Sequence, residues 1–254
     1  ISQAGIDALT GKGFEVITEK VAQEDLIKSI NLENYEVLLV RSSTTVRNDL
    51  IDACPHLKVV GRGGVGMDNI DVDYAREKGI NVINTPAASS SSVAELVFAH
   101  LFGMVRFLFD SNRQMPMSGD ADFKSLKKSY ANGRELAGKT LGIIGFGRIG
   151  QEVAKRAIGL GMKVMAHDKF IDEANITLDF FNGDKKSFTI ETESLKKVLN
   201  NSDFITLHVP KIGDKAVIGA EEIGMMKTGA GIVNAARGGV IDETALMFAL
   251  DKEK

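Results

Sequence analysis

The chain has 254 residues, with 31 Lys and Arg against 34 Asp and Glu and a formal charge of -3 at pH 7. With no basic surplus it has little to hold a polyanion, so nucleic acid is not expected as a main partner. Its apolar runs are broken by charge well short of the ~20 residues a bilayer needs, and no basic segment followed by an apolar core opens the chain; a cytoplasmic protein with no membrane partner is expected.

The first helix is expected over Gln3–Leu9, and a strand before it is expected to be missing, since the chain opens on Ile1 rather than Met. There follow a strand at Phe14–Thr18, a helix at Glu24–Ile30, a strand at Glu36–Val40, a helix at Asn48–Ala53, a strand at Leu57–Val60, a helix at Val72–Lys78 and a strand at Asn81–Asn84. Strands separated by helices of this length make a doubly wound parallel sheet. Cys54 has no second cysteine to pair with and reads as a small buried hydrophobe rather than a catalytic thiol.

From Ser89 to Met115 an apolar helix is expected. Ser92 and Glu95 stand at capping-box spacing, and that is the reading preferred for Glu95. Val93, Leu96, Val97, Leu101, Met104, Val105 and Leu108 occupy one side, with Phe98, Phe102 and Phe109 on another. A helix apolar nearly all round must be buried nearly all round, so residues 92–113 are expected to dimerise the protein. Met115 to Gly138 is polar, weakly periodic and expected to be a solvated loop.

A second α/β series follows, with strands at Thr140–Ile144, Lys163–His167, Asp203–Leu207 and Gly231–Asn234. The fold class is therefore α/β with two tandem doubly wound parallel-sheet domains: residues 1–88, and residues 89–254, which include the dimerisation helix.

The chemistry concentrates at the ends of these strands. Gly145-Phe-Gly-Arg-Ile-Gly150 leaves one strand and enters a helix beginning near Ile149, and Asp168 ends the next strand. Gly145 allows the turn, Gly147 lets backbone approach a pyrophosphate, and Gly150 lets the helix pack closely on the sheet. The helix N-terminus directs free N–H groups and a positive dipole end at the phosphates. Asp168 can accept the ribose hydroxyls and repel a 2'-phosphate, which favours NAD over NADP, although Lys169 beside it tempers that preference. His208-Val209-Pro210 follows a strand of the same sheet and lies near the cofactor by position; His208 is at least as readily a histidine bonded to backbone as a catalytic one. Arg237, in Asn234-Ala-Ala-Arg-Gly-Gly239, can bind a carboxylate through two parallel hydrogen bonds or lie in a surface salt bridge. In the front domain Gly61-Arg-Gly-Gly-Val-Gly66 can present successive N–H groups to an anion or serve chain reversal alone, and Arg41 and Ser42 end a neighbouring strand. Together they suggest a small anionic substrate. No metal is expected.

These stretches, with Met67-Asp-Asn-Ile-Asp71, Asn84-Thr-Pro86, Ser92-Val-Ala-Glu95 and Val240-Ile-Asp242, resemble the D-isomer-specific 2-hydroxyacid dehydrogenases along almost the whole chain, and within them the bacterial D-3-phosphoglycerate dehydrogenase branch. The resemblance implies a flavodoxin-like substrate domain and a Rossmann-like NAD domain with the active site between them, and dimerisation or higher homo-oligomerisation through the NAD domain. It implies that Arg237 holds the substrate carboxylate and keto oxygen, that Val65 and Gly66 donate N–H groups to the carboxylate, and that Arg41 meets a distal phosphate. Arg148 and Ile149 would lie along the pyrophosphate, and Ala235 and Ala236 near the nicotinamide. The implied reaction is NAD-dependent oxidation of D-3-phosphoglycerate to 3-phosphohydroxypyruvate, in serine biosynthesis. The alternatives are a glyoxylate or hydroxypyruvate reductase of the same family, or a non-enzymatic NAD(H)-sensing corepressor-like protein. The family's acid/base histidine and its glutamate partner are expected beyond Lys254, with the second domain incomplete at its C-terminus. Ala87-Ala-Ser-Ser90 departs from the family pattern, in which an asparagine is common.

Overall fold

The computed structural model describes residues 2–211 and 213–252. The chain divides into two compact units, Ile1–Ala88 and Ser89–Lys254.

The first unit runs α1 (Gln3–Thr10), α2 (Leu26–Glu33), β1 (Val37–Val40), α3 (Asn48–Ala53), β2 (Val59–Arg62), α4 (Val72–Glu77) and β3 (Asn81–Asn84). The strands are parallel in the order β1-β2-β3, with Val40 opposite Arg62 and Arg62 opposite Asn84, so their carboxyl ends lie level. Val40, Leu50, Ile51, Val60 and Ala75 form the core beneath them, and Cys54 is buried in it with burial pushing its thiol pKa up, as befits a small hydrophobe. The strand expected at Phe14–Thr18 does not form; the segment is irregular, with Phe14 and Ile17 about half exposed. Alternating apolar residues make a strand only where a neighbour supplies ladder bonds, and β1 pairs on one side alone among the described residues, with β2.

The second unit begins with α5 (Ser90–Val105) and α6 (Leu108–Ser129), then β4 (Thr140–Ile144), α7 (Arg148–Gly159), β5 (Lys163–His167), β6 (Glu173–Asp179), β7 (Lys185–Glu191), α8 (Leu195–Asn201), β8 (Phe204–Leu207), α9 (Ala220–Met225), β9 (Gly231–Asn234) and α10 (Glu243–Asp251). Its parallel sheet has the order β5-β4-β8-β9. From the central β4 the chain goes outward to β5 and then returns to β8 on the other side, which makes the gap between the β4 and β8 ends the topological switch point. Ala94, Val97, Leu101, Leu141, Ile143 and Val153 form one side of the core, and Leu199, Ile205, Leu207 and Ile218 the other.

Three expectations need correction here. The apolar stretch over 92–113 is not one helix: Phe107, at φ 54, breaks it between α5 and α6, so α5 buries a single face and Leu108 and Phe109 belong to a different axis. Met115–Gly138 is mostly helix rather than loop. Only Leu126 of α6 is buried, so no apolar stripe betrays the helix, while Pro116 and Gly119 read as breakers. The capping box at Ser92 and Glu95 is absent. Glu95 instead accepts from Arg156 Nη2 at 2.9 Å, because a guanidinium is a stronger partner for a carboxylate than a neutral N–H. The antiparallel pair β6–β7 was not expected at all. Among the described residues no single helix is long and apolar enough to cross a membrane.

Candidate functional site

The turn after β4 is built around its glycines. Gly145 has φ +94, and a Cβ there would lie 2.6 Å from His208 O and 2.8 Å from Val209 Cγ1, so this turn and the His208–Pro210 loop meet at the switch point. Gly150 is pressed onto the turn from the helix side: a Cβ would fall 2.2 Å from Gly145 O. Gly147 is the N-cap of α7, with open space where its Cβ would be. Only Gly145 and Gly150 are thus required by the protein's own packing. The bare surface at Gly147, beside the unpaired first N–H groups of Arg148 and Ile149, fits a pyrophosphate.

Asp168, just past β5, is held by three N–H groups. Its Oδ2 accepts from Phe146 at 2.7 Å, and its Oδ1 from Phe170 at 2.8 Å and Ile171 at 3.2 Å. A carboxylate has about four acceptor positions, so one is left to take a ribose hydroxyl. The Phe146 bond also fastens the acidic residue to the glycine turn, so the two move as one rigid piece.

His208 follows directly on β8 with Nε2 3.0 Å from Thr206 Oγ1, while its Nδ1 is buried without a hydrogen-bond partner among the described residues. Burial pushes its pKa down to about 4, so it is neutral at physiological pH. The sign of the linkage follows. The unfolded chain binds this proton below about pH 6.5 and the folded chain only below about 4, so stability is full above pH 6.5 and falls as pH drops through that window. The loss reaches about 3 kcal/mol. Urea midpoints at pH 7 and pH 4.5 are expected to separate more for the wild type than for His208→Gln; equal separations would show that His208 is not the group responsible.

The loop after β9 closes on itself. Asn234 Oδ1 accepts from Ala236 N at 3.0 Å, and Asn234 Nδ2 donates to Arg237 O at 2.8 Å. This turn lifts the exposed Arg237 away from the strand, its Nη1 donating to Ala236 O at 2.9 Å, while Ala235 and Ala236 pack toward the core on either side of the sheet.

In the first unit the loops after all three strands are laced together. Asn69 Nδ2 donates to Arg41 O and Thr44 O, and its Oδ1 accepts from Arg62 Nε at 3.2 Å. Asn84 Nδ2 donates to Val65 O at 2.7 Å. The nest expected of the glycine loop is only partly available, since Gly63 N–H bonds Val40 O and Gly64 N–H bonds Arg62 O. Val65 and Gly66 N–H make no such bond among the described residues. Arg41 and Ser42 are exposed at the end of β1, and Arg62 was not singled out from the sequence. Its guanidinium folds over Gly64, where a Cβ would lie 2.2 Å from Nη1, so it belongs with Arg41 as a second cation at this rim. The signal was its place inside the glycine run, directly after a strand.

The remaining histidines are dispersed. His56 and His100 are exposed, and His167 Nδ1 donates to Glu193 O at 2.8 Å.

The D-isomer specific 2-hydroxyacid dehydrogenase NAD-binding domain matches residues 98–254. The chain belongs to that family. Its NAD-binding domain carries the glycine turn, Asp168 and Arg237. A hydroxypyruvate reductase of Thermotoga maritima is 43% identical over 234 residues, covering 92% of this chain and 70% of that protein. A D-3-phosphoglycerate dehydrogenase of Methanocaldococcus jannaschii is 41% identical over 256 residues, covering 100% of this chain but 46% of that protein. Among solved structures, an Aquifex aeolicus D-lactate dehydrogenase complexed with NAD and lactic acid superposes with a TM-score of 0.71 at 30% identity, covering 100% of this chain and 72% of that one.

Proposed function

We propose that this chain acts in the NAD-dependent oxidation of D-3-phosphoglycerate to 3-phosphohydroxypyruvate. The observation that carries the choice of a phosphorylated acid is the pair Arg41 and Arg62 at one rim of the first unit, where Asn69 joins the Arg62 side chain to the backbone carbonyl of Arg41. Two cations beside the N–H groups of Val65 and Gly66 suit a substrate with a phosphate at one end and a carboxylate at the other. NAD supplies the hydride acceptor. Gly147 and the first turn of α7 would hold its pyrophosphate, and Asp168 its adenosine ribose, with Val209 and Pro210 bordering the turn. Arg237 binds the carboxylate and polarises the C2 oxygen, and its charge grows more useful as that oxygen gains negative character.

A second reading, hydroxypyruvate reduction, is supported by the Thermotoga relative at 43% identity. The two separate in one assay. The protein given NAD and D-3-phosphoglycerate is expected to produce NADH, with kcat/KM above that for glycerate. Preference for hydroxypyruvate or glyoxylate with NADH, and no turnover of the phosphorylated acid, would overturn the first reading in favour of the second.

We place the protein in the cytoplasm as a homodimer. Leu96, Phe102, Met104 and Phe109 are between 39% and 68% exposed along α5 and the start of α6, an apolar face of the kind a second copy covers.

A further inference from the structure

Between β5 and α8 the chain inserts the β6–β7 hairpin before the short crossover helix, and it seals the sheet's β5 edge. Ala166 of β5 bridges Thr192, just past β7, in parallel fashion, and Ile176 of β6 is almost fully buried in the core. The foot of the hairpin makes contacts that bear on the ribose site. Thr192 Oγ1 donates to Ile171 O at 2.7 Å and shares the bond with Asp172 O at 3.2 Å, and Thr192 N–H donates to Asp172 O at 2.7 Å. Glu193 N–H donates to Ala166 O at 2.7 Å, and Glu193 O accepts from His167.

Phe170 and Ile171 supply two of the three N–H groups that orient the Asp168 carboxylate, both on Oδ1, while Phe146 holds Oδ2. Phe170 is 90% exposed, so its side chain gives that segment no packing anchor. What holds the segment is the packing of the half-buried Ile171 on the core, the end of β5 on one side and, for the carbonyls of Ile171 and Asp172, Thr192 on the other. We propose that Thr192 is a positioning residue: it fixes the 170–172 turn, hence the direction of the one open Asp168 acceptor, and so sets the discrimination between a ribose 2'-hydroxyl and a 2'-phosphate. If the turn relaxes, Asp168 no longer faces the vicinal hydroxyls squarely, and the neighbouring exposed Lys169 gains weight as a partner for phosphate. The inference rests on the cofactor assignment of Asp168 and not on the identity of the substrate.

Fluorescence titration with NADH and NADPH tests it without turnover, so failure of the substrate reading leaves the result interpretable. Thr192→Val, which keeps the shape and removes the hydroxyl, is expected to raise the NADH Kd roughly fivefold while leaving the NADPH Kd unchanged or lower. Thr192→Ser keeps the donor and is expected to retain the wild-type ratio. Should the valine variant not fold, Thr192→Ala carries the same expectation. An unchanged ratio in the hydroxyl-less variant, with or without an earlier thermal melt, would make Thr192 merely structural and overturn the proposal. So would a serine variant that loses the ratio as fully as valine does.

Discussion

Arg237→Gln is expected to lower kcat/KM for the hydroxy acid by roughly a thousandfold, the upper end of what removal of one donor at a developing oxyanion costs. The reason is the number of tasks on one side chain. Arg237 stands beyond β9 on a turn closed by both ends of the Asn234 amide, which fixes the backbone that presents it. A guanidinium there offers two parallel N–H groups to a carboxylate and a charge to the adjacent C2 oxygen, and glutamine offers neither the charge nor the fork. Arg237→Lys keeps the charge and loses the fork, and is expected to recover only part of the loss. NADH affinity should stay within about twofold in both variants, because the cofactor contacts proposed above lie on the β4 and β5 loops. If the glutamine variant turns over within about tenfold of the wild type, Arg237 is a surface residue and the substrate site lies elsewhere.

The parts of this molecule that could be read in advance are those whose periodicity and punctuation agree. The strands Thr140–Ile144, Lys163–His167 and Gly231–Asn234 are fully or largely apolar runs ended by glycine, Asp168 or the Asn234 turn, and they stand in the structure with those bounds. The parallel pattern of helix and strand gave the α/β class for the same reason. The errors share a cause in reverse. α6 has no buried stripe beyond Leu126 and contains Pro116, so neither period nor composition marked it as helix. β6–β7 alternates apolar and polar residues around an exposed Phe180-Phe181 tip, but it lies where a crossover helix is the default in a doubly wound sheet. The break at Phe107 requires positive φ at a phenylalanine, which no local rule anticipates, and two helices therefore read as one.

Site residues followed the same division. The roles of Gly145 and Gly150 could be argued from a motif because each rests on backbone geometry local to the turn. Arg62 could not, since its value comes from Asn69, seven residues on, which joins it to the Arg41 loop on another strand. Asp168 lies between: its position was evident, but its support by Phe146, Phe170 and Ile171, and that of Ile171 by Thr192, is tertiary.

The two glycines flanking the start of α7 give the sharpest separation of fold from function. Gly150→Ala is expected to destabilise the second unit by about 1–3 kcal/mol, as overpacking does in a core, and to weaken NADH binding as well. Its Cβ would lie 2.2 Å from Gly145 O and 3.1 Å from Ile143 Cγ2, and neither atom is the loose end of a flexible chain. The helix must therefore back away from β4, and the N–H groups of its first turn move with it. Gly147→Ala meets nothing within 4 Å and sits at φ -70, ψ -161, which alanine adopts freely, so its melting temperature should match the wild type. Its methyl group does enter the space a pyrophosphate would fill, and NADH affinity is expected to fall by at least tenfold, a cost of about 1.4 kcal/mol. One variant thus loses stability and binding together, and the other loses binding alone. Thermal melts and NADH titrations on both variants check the contrast; a stable Gly147→Ala protein that binds NADH normally would mean that the phosphates do not lie on this turn.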